Sequence, residues 1–130
     1  FRRVLFRSFG RLRVSNAFTM LRAVNPENGQ QLLRRPRLSN NLQLSYERAR
    51  KVGGSLSLRY IGIREDTHAV LLTRQTLPAF VTLGAHFFRS LGEGLRFTAR
   101  GENMLNRRYQ ETSGYGVPPL SGYAGIEADL

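Results

Sequence analysis

The chain's reactive side chains are mostly guanidinium groups. Its 130 residues carry 20 Lys and Arg against 9 Asp and Glu, a formal charge of +11, and Lys51 is its only lysine. Arg11, Arg13, Arg59, Arg96 and Arg100 sit in stretches where polar and apolar residues alternate. In an extended backbone each of them falls on the polar side. A guanidinium there forks onto carboxylates or phosphates. These five are candidates for guiding an anionic ligand, or for pairing with Glu102, Glu127 and Asp129. Arg34, Arg35 and Arg37 form a second basic group near Asn40 and Asn41. Tyr115, in the run Glu102–Gly116 (ENMLNRRYQETSGYG), is a candidate for stacking on a ligand or for packing its own loop.

Several chemistries have no residues to carry them. The chain has no Cys, and His68 and His86 are far apart with no carboxylate cluster beside them, so neither a metal site nor a bound cofactor is expected. No GxSxG, phosphate-binding glycine loop or HExxH occurs, and no catalytic residue is expected. No run approaches the ~20 apolar residues of a membrane-spanning helix. The chain begins with Phe rather than Met, so a fragment or processed product is expected.

The first eight residues, FRRVLFRS, stand apart. The codons TTC AGA CGT GTG CTC TTC CGA TCT translate to this octapeptide and resemble the end of a short-read sequencing adapter. Residues 1–8 are therefore read as adapter-derived, and residues 9–130 as the natural chain. Setting aside Arg2, Arg3 and Arg7 lowers the formal charge from +11 to +8.

From there the dominant period is two. In LSNNLQLSYE, Leu38, Leu42, Leu44 and Tyr46 share a face that Asn40 interrupts. GSLSLRY, RLRVSNAFTM, LRFTARGEN, FVTLGAHFF and LSGYAGIEADL repeat the pattern, with Phe80 and Phe88 breaking it at the ends of their strand. This predicts about six strands and no helix. Short connections, RARKVGG (48–54) and RSLGEG (89–94), alternate with long ones at 25–36, 64–78 and 107–119. The pattern predicts an antiparallel meander with short turns at one end and long loops at the other. The apolar face could meet a protein core or a lipid bilayer. Strands of about ten residues, thin Leu/Ala/Gly faces, mid-strand arginines and aromatics near strand ends (Tyr46, Tyr60, Phe80, Phe88, Tyr109, Tyr123) favour the bilayer. The fold class expected is all-β, the C-terminal part of a transmembrane β-barrel.

The segment ENMLNRRYQETSGYGVPPLSGYAGIEADL resembles the last two strands of TonB-dependent outer-membrane receptors. Glu102, Asn103, Leu105, Asn106, Arg107 and Tyr109 match the motif on their penultimate strand, with Met104 a departure. Gly114, Tyr115 and Pro118 match the Gly-Tyr-x-x-Pro segment that follows. Gly125, Ala128 and Leu130 fall at positions of the terminal insertion signal, which usually ends in Phe. LLRRPRLSNNLQLSYE is similar to a loop and strand of the vitamin B12 and siderophore branches. Leu56, Tyr60, Gly62, Arg64 and Asp66 match L-x-x-Y-x-G-x-R-x-D, and LPAFVTLGAHFF is similar to a further family strand.

The resemblance implies a fragment of a barrel of about 22 strands that is plugged by an N-terminal domain absent from this chain. It implies energy-coupled uptake of a scarce small molecule, such as a ferric siderophore or vitamin B12, in the outer membrane of a Gram-negative bacterium. The partners implied are lipid and lipopolysaccharide, the plug and the rest of the barrel, and the TonB complex. Arg107 and Arg108 would meet lipopolysaccharide at the outer rim, with Tyr109 anchoring at the interface. No enzyme activity is implied. Two other readings stay open: a small soluble basic β-domain that binds nucleic acid, and an outer-membrane channel independent of TonB. Nucleic-acid binding is not expected, because Tyr46, Tyr60 and Phe97 alternate away from Arg59, Arg96 and Arg100, whereas a stacking platform needs them interleaved.

Overall fold

The structure, a computed structural model, describes residues 1–128. In chain order the strands are β1 (Arg2–Phe9), β2 (Leu12–Met20), β3 (Leu38–Arg48), β4 (Val52–Ile61), β5 (Arg64–Thr67), β6 (Arg74–Leu77), β7 (Phe80–Gly92), β8 (Leu95–Glu102), β9 (Gln110–Thr112), β10 (Tyr115–Gly116) and β11 (Ser121–Ala128). Seven of them form one antiparallel sheet in the order β1-β2-β3-β4-β7-β8-β11. The expected six strands are all present in that sheet, and the seventh, β1, takes in residues 2–8 of the octapeptide together with Phe9. The long connections carry two small hairpins, β5–β6 and β9–β10, too short and polar to show in the alternation.

Across the middle of the sheet the register sorts side chains by face from β2 to β11. One row runs Leu12, Tyr46, Gly54, Phe87, Ala99, Ala124, and the next Val14, Leu44, Leu56, Ala85, Gly101, Gly122. Between them on the opposite face lies Arg13, Ser45, Ser55, His86, Arg100, Tyr123. Asn40, the interruption on the apolar face, is matched by Asn16 diagonally across. Each Nδ2 donates to the other's Oδ1, at 2.9 and 3.3 Å. Two amides that neither leucine nor lipid could satisfy thus satisfy each other.

The β3–β4 turn corrects an expectation. It is confined to Ala49, Arg50 and Lys51, with Ala49 and Arg50 at positive φ, and the glycines expected to make it lie inside β4. They are there for clearance. A Cβ on Gly53 would meet the Phe88 ring at 2.6 Å, and one on Gly54 would meet the His86 carbonyl oxygen at 2.7 Å.

Among the described residues no second layer covers the apolar face, and the polar face is covered only at its long-loop end, where Tyr109 and Arg64 lie against Phe80. Among the described residues, the buried apolar side chains are Leu77 and Phe80, both outside the apolar face. Leu12, Tyr46, Leu56, Leu58, Phe87, Leu95 and Ile126 are exposed. The accessible surface is 9887 Å², against about 7,000 Å² for a compact monomer of this mass. A water-soluble protein rarely leaves so continuous an apolar face uncovered. Made without detergent, the chain from Phe9 to Leu130 is expected to aggregate through this face and its unpaired edges. Sedimentation should show heterogeneous assemblies; a monodisperse, cooperatively melting monomer would contradict this.

Candidate functional site

At the long-loop end, three connections that are remote in sequence meet around one carboxylate. Asp66, in β5, is fully buried. Its Oδ1 accepts from Arg34 Nε at 2.9 Å and from the Thr67 amide at 2.8 Å. Its Oδ2 accepts from the Ser113 amide at 2.7 Å. One donor comes from each long connection: 21–37, 62–79 and 103–120. Burial by itself raises the Asp66 pKa. The bonds from the Ser113 amide, Arg34 and the Thr67 amide outweigh it and hold the carboxyl below its ordinary 3.8.

Two residues before it, Arg64 is almost as buried and joins the same loops. Nε donates to the Glu111 carbonyl at 3.3 Å, Nη1 to the Pro78 carbonyl at 3.4 Å, and Nη2 to the Gln110 carbonyl. Its guanidinium lies 5.1 Å from the centre of the Phe80 ring, and Phe80 stacks on Tyr109 at 3.9 Å with 20° between planes. Desolvation lowers the Arg64 pKa, partly offset by Glu111 and Asp66. Burial, then Glu111, raises that of Tyr109. Gln75 donates to the Ser113 hydroxyl, Arg59 on the sheet meets Glu111 at 2.9 Å, and Arg74 meets Glu65 at 3.3 Å. The tip of the β9–β10 hairpin is Gly114, at φ +83°, where a Cβ would lie 2.8 Å from that of Ala69. Glycine is required there on both counts.

The motif expected on the penultimate strand mostly leaves it. Only Glu102 belongs to β8; Asn103 through Tyr109 make the turn beyond. Asn103, nearly buried at φ +48°, explains why. Its Nδ2 donates to the Arg107 and Pro118 carbonyls at 2.9 and 3.0 Å, and its Oδ1 accepts from the Arg107 amide at 3.0 Å. Asn106, also left-handed, accepts from the Leu120 amide at 3.1 Å. An asparagine tolerates this backbone and supplies both polarities. Leu105, Arg107 and Arg108 are all exposed.

The remaining sequence candidates are dispersed. Arg11 lies in the β1–β2 turn rather than on a strand. Arg13 and Arg100 share a row but stand four strands apart, about 19 Å. Arg100 pairs with Glu102 at 3.3 Å, Arg96 lies across from Glu127, and Arg59 takes Glu111 instead of the carboxylates expected. Asp129 and Leu130 fall outside the described residues; Gly125 and Ala128 lie in β11. Tyr115 is 73% exposed at the β9–β10 hairpin, not packed into its loop. His68 shapes its own loop, Nδ1 accepting from the Val70 and Leu71 amides at 3.3 and 3.1 Å.

Two expectations about aromatics are corrected. Phe80, Phe88 and Tyr123 lie on the polar face, and Tyr109 stacks there on Phe80, so these four do not form a girdle on the apolar face. Nor are aromatics segregated from arginines. Arg96 lies 5.0 Å from the Phe88 ring centre and Arg100 4.9 Å from that of Tyr123. Alternation separates them within a strand, while cross-strand pairing brings them together. Asp66 and Ser113, the centre of the cluster, were not singled out for any role by sequence. The Arg64-x-Asp66 spacing was the one available signal, and nothing local points to a partner 47 residues on.

No protein-family model matches the chain, and no curated protein matches it. Solved structures do. The siderophore receptor PirA from Acinetobacter baumannii superposes with TM-score 0.77 over 96% of this chain and 21% of its own, at 15% identity. A ferric enterobactin receptor, PfeA from Pseudomonas aeruginosa in complex with enterobactin, gives 0.77 over 98% and 22%, at 18% identity. The ferric-catecholate import receptor Fiu from E. coli K12 gives 0.73 over 92% and 19%, at 16%. The chain spans about one fifth of the length of these receptors.

The clamp is testable in detergent micelles. Asp66→Asn presents an amide donor where the carboxylate accepted and leaves a buried N–H unmatched, at about 1–3 kcal/mol. Trypsin should then cut faster at Arg34, Arg74 and Arg107 with the sheet still intact. Because the folded pKa of Asp66 is depressed, its contribution is complete above 3.8 and is lost as pH falls through the lower folded value. Pepsin should open the same loops as the medium is acidified over that range. Unchanged cleavage in both tests would refute the clamp. In its sheet order, its one-sided faces and its superposition, the chain has the fold of a segment of a TonB-dependent receptor barrel.

Proposed function

We propose that the chain is a C-terminal segment of an outer-membrane TonB-dependent receptor that takes up a scarce metal chelate, with ferric siderophores the preferred class. The observation that carries this reading is the superposition of nearly the whole chain on receptors for siderophores and their ferric complexes. An uncovered apolar face opposite an arginine-bearing polar face supports lipid on one side and a hydrated lumen on the other. The Glu102–Tyr109 motif with Gly125 and Ala128 supports the C-terminal placement. On this reading the segment pairs with the rest of the barrel and surrounds a plug that engages the TonB complex. Arg107 and Arg108 face lipopolysaccharide at the outer rim. Its role is transport, with no bond made or broken in the cargo.

Vitamin B12 is the second cargo, favoured by the LLRRPR segment. Arg34 of that segment is committed to Asp66, which leaves Arg35 and Arg37 to face a ligand. The test is to express the complete reading frame that contains this segment in a Gram-negative strain lacking its own siderophore and vitamin B12 receptors. Uptake of radiolabelled ferric siderophore that disappears when TonB is deleted is the expected result. No TonB-dependent uptake of any ferric siderophore or of vitamin B12 would overturn the proposal.

A further inference from the structure

From β2 to β11 the apolar face carries two charges, and both stand in one row. Arg48, at the end of β3, lies opposite Val52, and Val52 lies opposite Arg89 of β7. Residues opposite one another share a face. Each of the three is two residues along its strand from Tyr46, Gly54 or Phe87, so the row belongs to the apolar side. It continues through Phe97 to Ile126. At the long-loop end of the same side the row Phe18, Asn40, Tyr60, Val81 has no charge. Two strand spacings, about 10 Å, separate the backbones of Arg48 and Arg89. Both residues are exposed, and among the described residues neither guanidinium forms an ion pair or lies over an aromatic ring. The carboxylates at that end are elsewhere: Glu47 opposite Gly53 on the polar side, Glu93 in the β7–β8 turn. Toward mid-sheet an apolar groove of about 1010 Å³ begins at Val52, between the two arginines, and takes in Gly54, Ala85 and Gly101. Tyr46 and Phe87 stand on either side of Gly54.

We propose that Arg48 and Arg89 hold the phosphate of an anionic phospholipid whose acyl chains lie in this groove. The inference rests on the barrel reading. A guanidinium on a lipid-facing side is costly at mid-membrane and is tolerated where its head reaches the polar layer. Once there it forks onto a phosphate, and two of them flanking Val52 can close on one head group. Barrels of the outer membrane turn their short connections to the periplasm. The pair sits at the short-turn end, so its lipid belongs to the periplasmic leaflet, which is phospholipid, and not to the lipopolysaccharide leaflet at the long loops. Charge selects within that leaflet. Two cations without a carboxylate beside them attract a net negative head group, whereas the ammonium of a zwitterionic one is repelled.

The experiment uses the receptor encoded by the complete reading frame, purified in detergent and given equimolar phosphatidylglycerol and phosphatidylethanolamine. Native mass spectrometry counts the lipids retained. The receptor should retain phosphatidylglycerol in preference, and that preference should fall about fivefold for each of R48Q and R89Q. R50Q with K51Q, which removes two cations from the adjoining turn, should leave it within about twofold if the lipid sits on the apolar side. Soluble glycerol phosphate should not displace the lipid, because it has no chains for the groove. Equal retention of the two lipids, a preference that survives R48Q/R89Q or falls as far with R50Q/K51Q, or displacement by glycerol phosphate would each overturn the inference. Retained lipid without preference refutes this site alone. A protein that stays monomeric without detergent and retains no lipid refutes the barrel reading itself.

Discussion

A sheet whose apolar face has nothing on it must be completed from outside, and every other feature of this chain follows from that. The backbone is satisfied laterally, strand to strand, so the ladder is self-sufficient except at its two edges. The side chains are not. Val14, Leu44, Leu56 and Leu58 make neighbours of one another along rows, yet among the described residues no element packs down on them. At 9887 Å² the accessible surface exceeds a compact monomer's by about 2,900 Å², an excess to which the uncovered apolar face contributes. On the proposed reading hydrocarbon would supply that cover without needing an interdigitated partner, which suits thin Ala- and Gly-rich rows such as Gly54, Ala85, Ala99 and Gly122.

The same constraint explains where the polar chemistry went. Outside the sheet the long connections bury little apolar surface beyond Leu77, Phe80 and Tyr109, so they are organised mainly by charge and by backbone polarity. Asp66 takes donors from all three, Arg64 gives to carbonyls of two, and Asn103 closes the last turn onto itself. A buried carboxylate with three donors is stable as an anion, whereas with one donor removed it leaves a group that nothing else satisfies. The loops are therefore linked: a displacement of 103–120 pulls on Ser113, Asp66 and Arg34 in turn.

The strands were legible because period two survives any reading frame of the surroundings. All six expected strands lie in the seven-stranded main sheet, and the alternation of short and long connections matches the meander. What stayed hidden needed three dimensions. The β5–β6 and β9–β10 hairpins offer four residues or fewer per strand, below what alternation can register. Phe88, Tyr123 and Phe80 sat near strand ends, as a girdle would, but their parity puts them on the polar face, where the neighbouring strand or loop brings an arginine over Phe88, Tyr123 and Phe80. Asn103 read as a strand residue because the motif is continuous in sequence, while its left-handed backbone and doubled hydrogen bonds end the strand. The partners of Asp66 are 32 and 47 residues away, a pairing that no local pattern encodes.

The most direct test of the account uses the sidedness of β4. Spin labels at Leu58 and at Ser57, adjacent in sequence and opposite in face, would be compared in liposomes carrying the refolded chain. The account predicts that the Leu58 label is relaxed by oxygen dissolved in the bilayer and the Ser57 label by a water-soluble nickel chelate. The reverse assignment, or water access to both, would contradict a sheet that turns its leucines to lipid.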